Sequence, residues 1–572
     1  MKSNIIMGCM LAAGLLSASC SDFLTEDPKG QLDPSTYYNS KDAVNSAIYA
    51  LYTQVNVSQI YTNMLYPQWQ GDDITADPGG NKQAVAELDA FASSNNNKGV
   101  REAWEKNYKI IEAANNILNN IQVDENSTYA DAAKLAHAQA RFWRAFAYYY
   151  LVRIYGPLPI VERNSTEWNQ TKPSTVAKVY EYIVADMKAA IEALPTQYTE
   201  TPATHNGIDA YVTKQAAQSA LTAVYMSMAG YPLNKTEYYG EAAKLAKEVI
   251  DRNSEYGFYL DPDWSHVYSM GHNYNKETIL GIDYSPLPWW TNDSEFTSCD
   301  RFPSLGDGGW GDAWGEIAFW KRFPEGNRKK ATYAEKITYQ DDVDHPYVIT
   351  KTVDWWALDE KGNKVVTEYH PMFCNFTVNS DENGNAIAAP YDYTKPNWKG
   401  MVNDHRHRVI RYSELLLWYA ESAARSGATD LSFAKQCLKQ VRERACDDPY
   451  NVALSDGSVV NIDNMSAAQL AEACYIEHGW EVAGYWVAMV TRRSDEFRMN
   501  ELQKNFEFRV ANADQDIVDP ADGKVYKAKE SVPVPANYAV WRGAESIYIP
   551  YPVLEVEKNP NLKIADRSTM VE

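Results

Sequence analysis

Between residues 128 and 155, apolar side chains recur at three- and four-residue steps: Leu135, Ala138, Phe142, Phe146, Tyr149 and Val152. That spacing lays a stripe along one face of an α-helix, and such a stripe must be buried against other helices. Asn126 or Ser127 stands where a helix cap is needed. Gly156-Pro157 closes the segment, Gly by accepting a left-handed turn and Pro by refusing to continue the helix. Similar patterns predict helices near 42–56, 99–121, 173–194, 209–229 and 237–252.

Within the last two of these, Ala217, Ala220, Leu221 and Val224 are followed by Gly230 and then by Ala242, Ala243, Ala246 and Val249. Small residues at these places let two antiparallel helices approach closely, as in a tetratricopeptide unit. Arg411–Arg425 and Asp430–Ala445 form a second pair of the same kind. No strict 34-residue register is present, so the pairs are irregular. Further on, Asn464 or Ser466 caps a segment expected to run to about Arg492, and the tail is extended and rich in Pro and Tyr.

From about Tyr256 to His405 helical periodicity disappears and Gly, Pro, Asp and Trp rise. Glu360-Lys361-Gly362-Asn363, flanked by Asp354-Trp355-Trp356 and Val365–Tyr369, has the form of a hairpin turn. The expected division is 1–19, 20–255 (helical pairs), 256–405 (loop-rich insertion) and 406–572 (helices and tail). The chain holds 17 Trp and 40 Tyr, more than packing requires. Trp289, Trp290, Trp310, Trp314 and Trp320 lie in the insertion's glycine-bearing loops beside Asp293, Asp300, Asp307 and Asp312, where no helix is at hand to bury them.

At the other end, Lys2 precedes an apolar run from Ile5 to Leu16 and then Ser17-Ala18-Ser19-Cys20. This is the form of a secretory signal, with a run too short to span a bilayer. A small-residue site ending on Cys makes Cys20 the expected lipidation site, although the large aliphatic residue sits one place early, at Leu16. Each buried CH₂ of an acyl chain contributes about 0.8 kcal/mol, so more than one chain anchors stably.

A formal net charge of −22 and a pI near 4.9 exclude nucleic acid as a partner, since no basic stripe is available to displace counterions. Five cysteines remain beyond Cys20, at 299, 374, 437, 446 and 474, without C-x₂-C spacing. They read as free thiols rather than a zinc site or disulfide framework. Gly306–Gly311 lacks the Lys-Ser/Thr ending of a phosphate loop, and Asp381–Asn385 lacks the sixth-place Gly of an EF-hand. His405 and His407 share a face only on a strand, where flanking arginines oppose a cation. No cofactor is expected, with a structural calcium left open.

Five ordered stretches resemble the SusD/RagB family of nutrient-binding lipoproteins. They are Cys20–Leu24 with Asp27-Pro28; Trp104, Tyr108, Ile111, Ala114 and Asn115; Ala140–Phe146 with Leu151–Gly156 and Pro159; Val409–Leu417 with Tyr419–Glu421; and Ile549-Pro550, Pro552 and Asn559–Leu562. A sixth family helix is kept only as Glu477, Glu481, Val482 and Ala483, with His478 in place of Arg and Tyr485-Trp486 in place of Glu-Gly. The resemblance implies a mainly α fold: a SusD-like helical scaffold with irregular tetratricopeptide-like pairs and a loop-rich insertion with short strands. It further implies a non-enzymatic protein that binds an oligo- or polysaccharide and delivers it to a SusC-like TonB-dependent transporter. Asp22, Glu26 and Asp27 resemble the surface-export signal of Bacteroidetes lipoproteins, which implies the cell-surface side of the outer membrane.

Aromatic faces that stack on sugar rings and planar polar groups that bond vicinal hydroxyls are the two devices of a glycan site. The expected binding residues are Trp289, Trp290, Trp310 and Trp314, with Trp69, Asp72, Asp73 and Asp77 on an early segment matching one where family members contribute. A peptide ligand is one alternative. A glycoside hydrolase is another, needing two carboxyl groups about 5–10 Å apart across a cleft. Glu414 and Glu421, seven apart on one helix face, are the pair to consider, though ion pairing with Arg411 and its neighbours is the plainer expectation.

Overall fold

The apolar stripe of residues 128–155 forms the helix at the centre of the molecule. The computed structural model describes residues 37–59, 63–76, 82–163, 166–200, 202–205, 207–284, 313–334, 336–339, 351–364, 370–375, 405–530 and 541–572. The long helices are α1 (Lys41–Gln59), α2 (Lys98–Asn120), α3 (Ala130–Tyr155), α4 (Val176–Ala193), α5 (Lys214–Ala229), α6 (Tyr238–Ile250), α7 (Tyr412–Arg425), α8 (Ser432–Glu443) and α9 (Ala467–Glu481).

Helix α3 is packed between α2 and α4, with α1 on a third side. From Phe142 to Tyr155 every side chain is therefore buried, not one face alone. The expected cap is also different: Tyr129 precedes the helix without a side-chain cap bond, while Gly156 closes it at φ 77°. In α2 the cap is Asn97, whose Oδ1 accepts from the N–H groups of Gly99 and Val100.

Antiparallel pairs follow in order, α3 with α4, α5 with α6, and α7 with α8, and α7 also packs on α6 and α9. Ala217, Ala220, Ala242 and Ala246 are all fully buried between α5 and α6. Helix α9 starts as expected, with Ser466 and Gln469 in a reciprocal capping box, but ends at Glu481 rather than near Arg492. Gly484 is the reason. Its φ of 65° lies in the left-handed region, outside helix, and a Cβ there would run into the Phe373 ring, which is why the position is glycine. A separate helix, Arg492–Arg498, follows. The tail is less extended than expected, with the helix Leu502–Ala511, the hairpin Asp514–Val518/Val525–Lys529 and short helices beyond residue 541.

The loop-rich insertion contributes short two-stranded ladders. Thr278–Ile282 pairs with His407–Arg411 where the helices resume. Asp354 pairs with Lys336 on an earlier strand; among the described residues a bridge from Leu358 to Lys364 spans the expected turn, and its second arm, Val365–Tyr369, lies outside them. Trp314, Trp355, Trp356, Ile317 and Met372 form a small second core that the hairpin closes with Ile517 and Ala528.

A buried charge network joins insertion and helices. Glu477 of α9 takes Arg328 at 2.6 Å, and Glu481 takes Arg328 and Arg411 at 2.8 Å and Arg444 at 2.9 Å. Glu414 accepts from the Arg411 N–H at 2.8 Å, and Glu421 is paired with Arg498 and Arg425, each at 2.7 Å. Both carboxylates are at most 1% exposed and belong to the interior rather than to a cleft. Cys437 and Cys474 are buried thiols, and Cys374 and Cys446 are half-buried ones.

Candidate functional site

The structure brings the early acidic segment and the insertion together. Ile74–Thr75 pairs antiparallel with Trp314–Gly315, Thr75 opposite Trp314. The chain leaves this ladder at Ala76, just before Asp77, and returns at Ala313, three residues after Trp310. The ladder therefore sets the roots of the two segments side by side. Asp77, Trp289, Trp290, Trp310 and Cys20 themselves lie outside the described residues.

The ladder sits in a close-fitting seat. Glu316 N–H donates to Asp73 O at 3.1 Å and Gly315 N–H to Pro371 O at 2.7 Å. A Cβ on Gly315 would lie 2.9 Å from Tyr333 and 3.1 Å from Pro371 O. Beneath, Asp89 accepts from Thr75 Oγ1 at 2.8 Å and Ala76 N–H at 3.2 Å. Arg509 ties Asp89 to Glu316, at 2.6 Å from the former and in direct contact with the latter. Glu530 takes the N–H groups of Ile317 and Ala318 at 3.2 and 2.9 Å, satisfying the start of the helix Ile317–Arg322. Burial pushes the Glu316 carboxyl well up, opposed by Arg509, and burial raises Glu530 as well. His370 packs on Trp314 and bonds Gly315 O at 3.1 Å; burial pushes its imidazole down to about 4 and keeps it neutral.

The four expected binding residues that are described are all interior. Trp69 is 0% exposed, in the short helix Asn63–Gln70, its ring 5.3 Å from Tyr66 and 5.0 Å from Trp486. Trp314 is 5% exposed within the second core. Neither ring offers a face to a sugar, because aromatic partners from distant parts of the chain already cover it. Asp72 lies 2.7 Å from Arg492 and 3.3 Å from Arg322. Burial opposes its ionisation, but the two guanidiniums outweigh burial and hold it well below the usual carboxylate range. Asp73 accepts from the Gly484 N–H at 2.8 Å. Burial, aided by the Asp72 charge, pushes its carboxyl up to about 7 against that hydrogen bond.

Two adjacent carboxyls driven apart in this way are the raw material of acid–base chemistry. Here their oxygens are turned inward, to Arg492 and Gly484, so the pair fixes the segment beneath the ladder instead. Arg492, Arg322, His370 and Arg509, which hold the seat, carried no motif. His405 bonds Tyr268 O at 2.7 Å, His407 opens the strand His407–Arg411, and no group of three metal-type side chains is assembled among the described residues. No helix among them is long and apolar enough to cross a membrane.

The described residues thus define a mainly helical scaffold of packed helix pairs with one clamped ladder between the early segment and the insertion. A family model described as starch-binding and associating with the outer membrane matches residues 22–226, and the SusD family model matches residues 322–565. A SusD-like protein of Bacteroides ovatus is 26% identical over 363 residues, 59% of this chain and 61% of that protein. The matches span between about half and three fifths of the curated relatives' own lengths. Among solved structures, surface glycan-binding protein A from Bacteroides uniformis superposes with a TM-score of 0.63 at 20% identity, covering 92% of this chain and all of that one. A crystal structure with a xylogluco-oligosaccharide gives 0.64 at 18% identity, covering 92% and 98%. The chain belongs to the SusD/RagB-like family.

Proposed function

We propose that this chain binds an oligo- or polysaccharide at the cell surface, held to the outer membrane by lipid on Cys20, and delivers it to a SusC-like TonB-dependent transporter without cleaving it. The observation that carries the reading is the ladder Thr75 to Trp314. It sets the chain leaving at Ala76, just before Asp77, beside the chain returning at Ala313, three residues after Trp310, which supports a ligand shared between acids of the one segment and indoles of the other. The family's outer-membrane description, the glycan-binding name of one structural neighbour and the xylogluco-oligosaccharide in another support it. Burial and arginine pairing of Glu414 and Glu421, the carboxylates considered for a hydrolase, also support a non-cleaving role.

The test is titration calorimetry of the soluble protein, begun after Cys20, against a panel of polysaccharides and peptides, with chromatography of the same samples for products. Saturable glycan binding, lost in Trp289→Ala/Trp290→Ala and without cleavage, is expected. Peptide binding alone, or release of shorter sugars, refutes the reading.

A further inference from the structure

The seat beneath the ladder holds more acid than its cations balance. Asp89, Glu316 and Glu530 are 0%, 1% and 2% exposed, and one guanidinium, Arg509, serves the three: it pairs with Asp89, contacts Glu316 and attracts Glu530. Glu530 makes no ion pair with a lysine or arginine among the described residues; the basic group beside it is the neutral ring of His370, at 3.7 Å. A side-chain hydrogen bond nevertheless joins the carboxyls of Glu316 and Glu530. An ionised carboxylate only accepts, so one of the two must carry a proton. Geometry places it on Glu316. Both Glu530 oxygens accept from the backbone, Oε2 from Ile317 N–H at 3.2 Å and Oε1 from Ala318 N–H at 2.9 Å, while Glu316 Oε1 meets Arg509 and Oε2, closed to solvent, receives no donor. That oxygen is the one free to hold the O–H and donate to Glu530.

The bond fastens two parts of the chain. Glu316 follows Trp314–Gly315 directly, and its own N–H donates to Asp73 O. Glu530 closes the hairpin strand Val525–Lys529, with its N–H on Ala513 O at 2.8 Å. The titratable groups facing the pair are Asp89, Arg509, His370 and Tyr333, and of these Arg509 alone is positive. Without the proton, two carboxylates would meet in a low-dielectric interior with that one cation already committed to Asp89, and they would repel. Opening the seat to water gives up the proton to solvent above the ordinary glutamate value of 4.5. The closed seat therefore holds one proton more than the open one, and opening becomes roughly tenfold easier per pH unit.

We propose that the proton shared by Glu316 and Glu530 is a latch on the Thr75–Trp314 ladder, released as pH rises, so that the ladder opens more readily in alkali. The latch is a property of the seat and does not depend on which ligand the ladder's segments meet. The measurement is amide hydrogen exchange of the soluble protein, begun after Cys20, read by mass spectrometry over residues 313–322 from about pH 5.5 to 8 and corrected for the intrinsic pH dependence of exchange. Asp73→Asn is the parent for every comparison, since it removes the neighbouring carboxyl that also holds a proton in this range. Protection in the parent is expected to fall by roughly tenfold per pH unit or more, and adding Glu530→Gln or Glu316→Gln should flatten that fall by roughly one tenfold step per unit. Glu530→Gln keeps an oxygen for the backbone and offers its amide N–H to Glu316, and Glu316→Gln donates to Glu530 permanently, so each supplies the donor without a titrating proton. Should one variant fail to fold, the other decides. Protection independent of pH in the parent, or a fall as steep in a folded variant as in the parent, would overturn the proposal.

Discussion

Asp73→Asn is the substitution that most directly tests how the ladder's seat is built. The asparagine is isosteric and keeps an oxygen to accept from Gly484 N–H, but it cannot ionise. In the folded protein the Asp73 carboxyl titrates near 7, against an ordinary value of 3.8. Between those pH values the unfolded chain has released its proton while the folded chain still holds it. Folding therefore takes up a proton, and stability falls as pH rises. At about 1.36 kcal/mol per pH unit, the cost to the wild type is absent below about pH 4 and reaches about 4 kcal/mol above pH 7. Urea unfolding of both proteins, followed by tryptophan fluorescence from pH 4.5 to 8, measures this directly. Glu316 and Glu530 titrate in both proteins, so the difference between the two isolates Asp73 together with its repulsion from Asp72. Expected is a variant of near-equal stability at the acid end that becomes the more stable protein as pH rises. A pH-independent gap, or a variant weaker than wild type at pH 8, would refute the assignment of a neutral buried carboxyl.

Glu481→Gln withdraws the charge that Arg328, Arg411 and Arg444 share, and should cost about 3–5 kcal/mol in urea unfolding, the usual effect of orphaning a buried ion. Gly484→Ala should destabilise the fold by more than about 1 kcal/mol and lower its melting temperature, since it combines a left-handed φ with a Cβ driven into the Phe373 ring; unchanged melting would show that the turn relaxes freely. For His478, burial alone would push the imidazole down, but Asp495 and Glu414 outweigh it and lift it from 6.5 to about 9. Its contribution, about 3 kcal/mol, is fully present below pH 6.5 and is lost as pH rises through 9. Thermal melts of wild type and His478→Gln should therefore converge in alkali.

What could be read from the sequence was what neighbours along the chain decide. The stripe in α2 placed that helix at 99–121, and it lies at Lys98–Asn120; the alanines of α5 and α6 foretold their close packing. What could not be read was decided by partners far away in sequence. Trp69 sits in a segment with no helical stripe, yet Trp486, more than four hundred residues on, covers it. Trp314 stands among glycines and aspartates, yet His370 and the second core enclose it. Helix α9 carries a pattern that continues beyond Glu481, but the chain turns left-handed at Gly484, where Phe373, brought in by another strand, leaves no room for a Cβ.

Asp72 and Asp73 make the same point in electrostatics. They are one residue type at consecutive positions, and only tertiary placement, burial around both with Arg492 and Arg322 beside Asp72 alone to outweigh it, makes one a carboxylate and the other a neutral acid at pH 6. The consequence for the ligand face follows from this. The early acids and Trp69 fix the angle at which the chain enters the ladder, so substituting them would disturb binding by moving the segments that begin at Asp77 and end at Trp310. A binding loss in Trp69→Ala accompanied by a fall in melting temperature is therefore expected, whereas Trp289→Ala should lose binding with its melting unchanged.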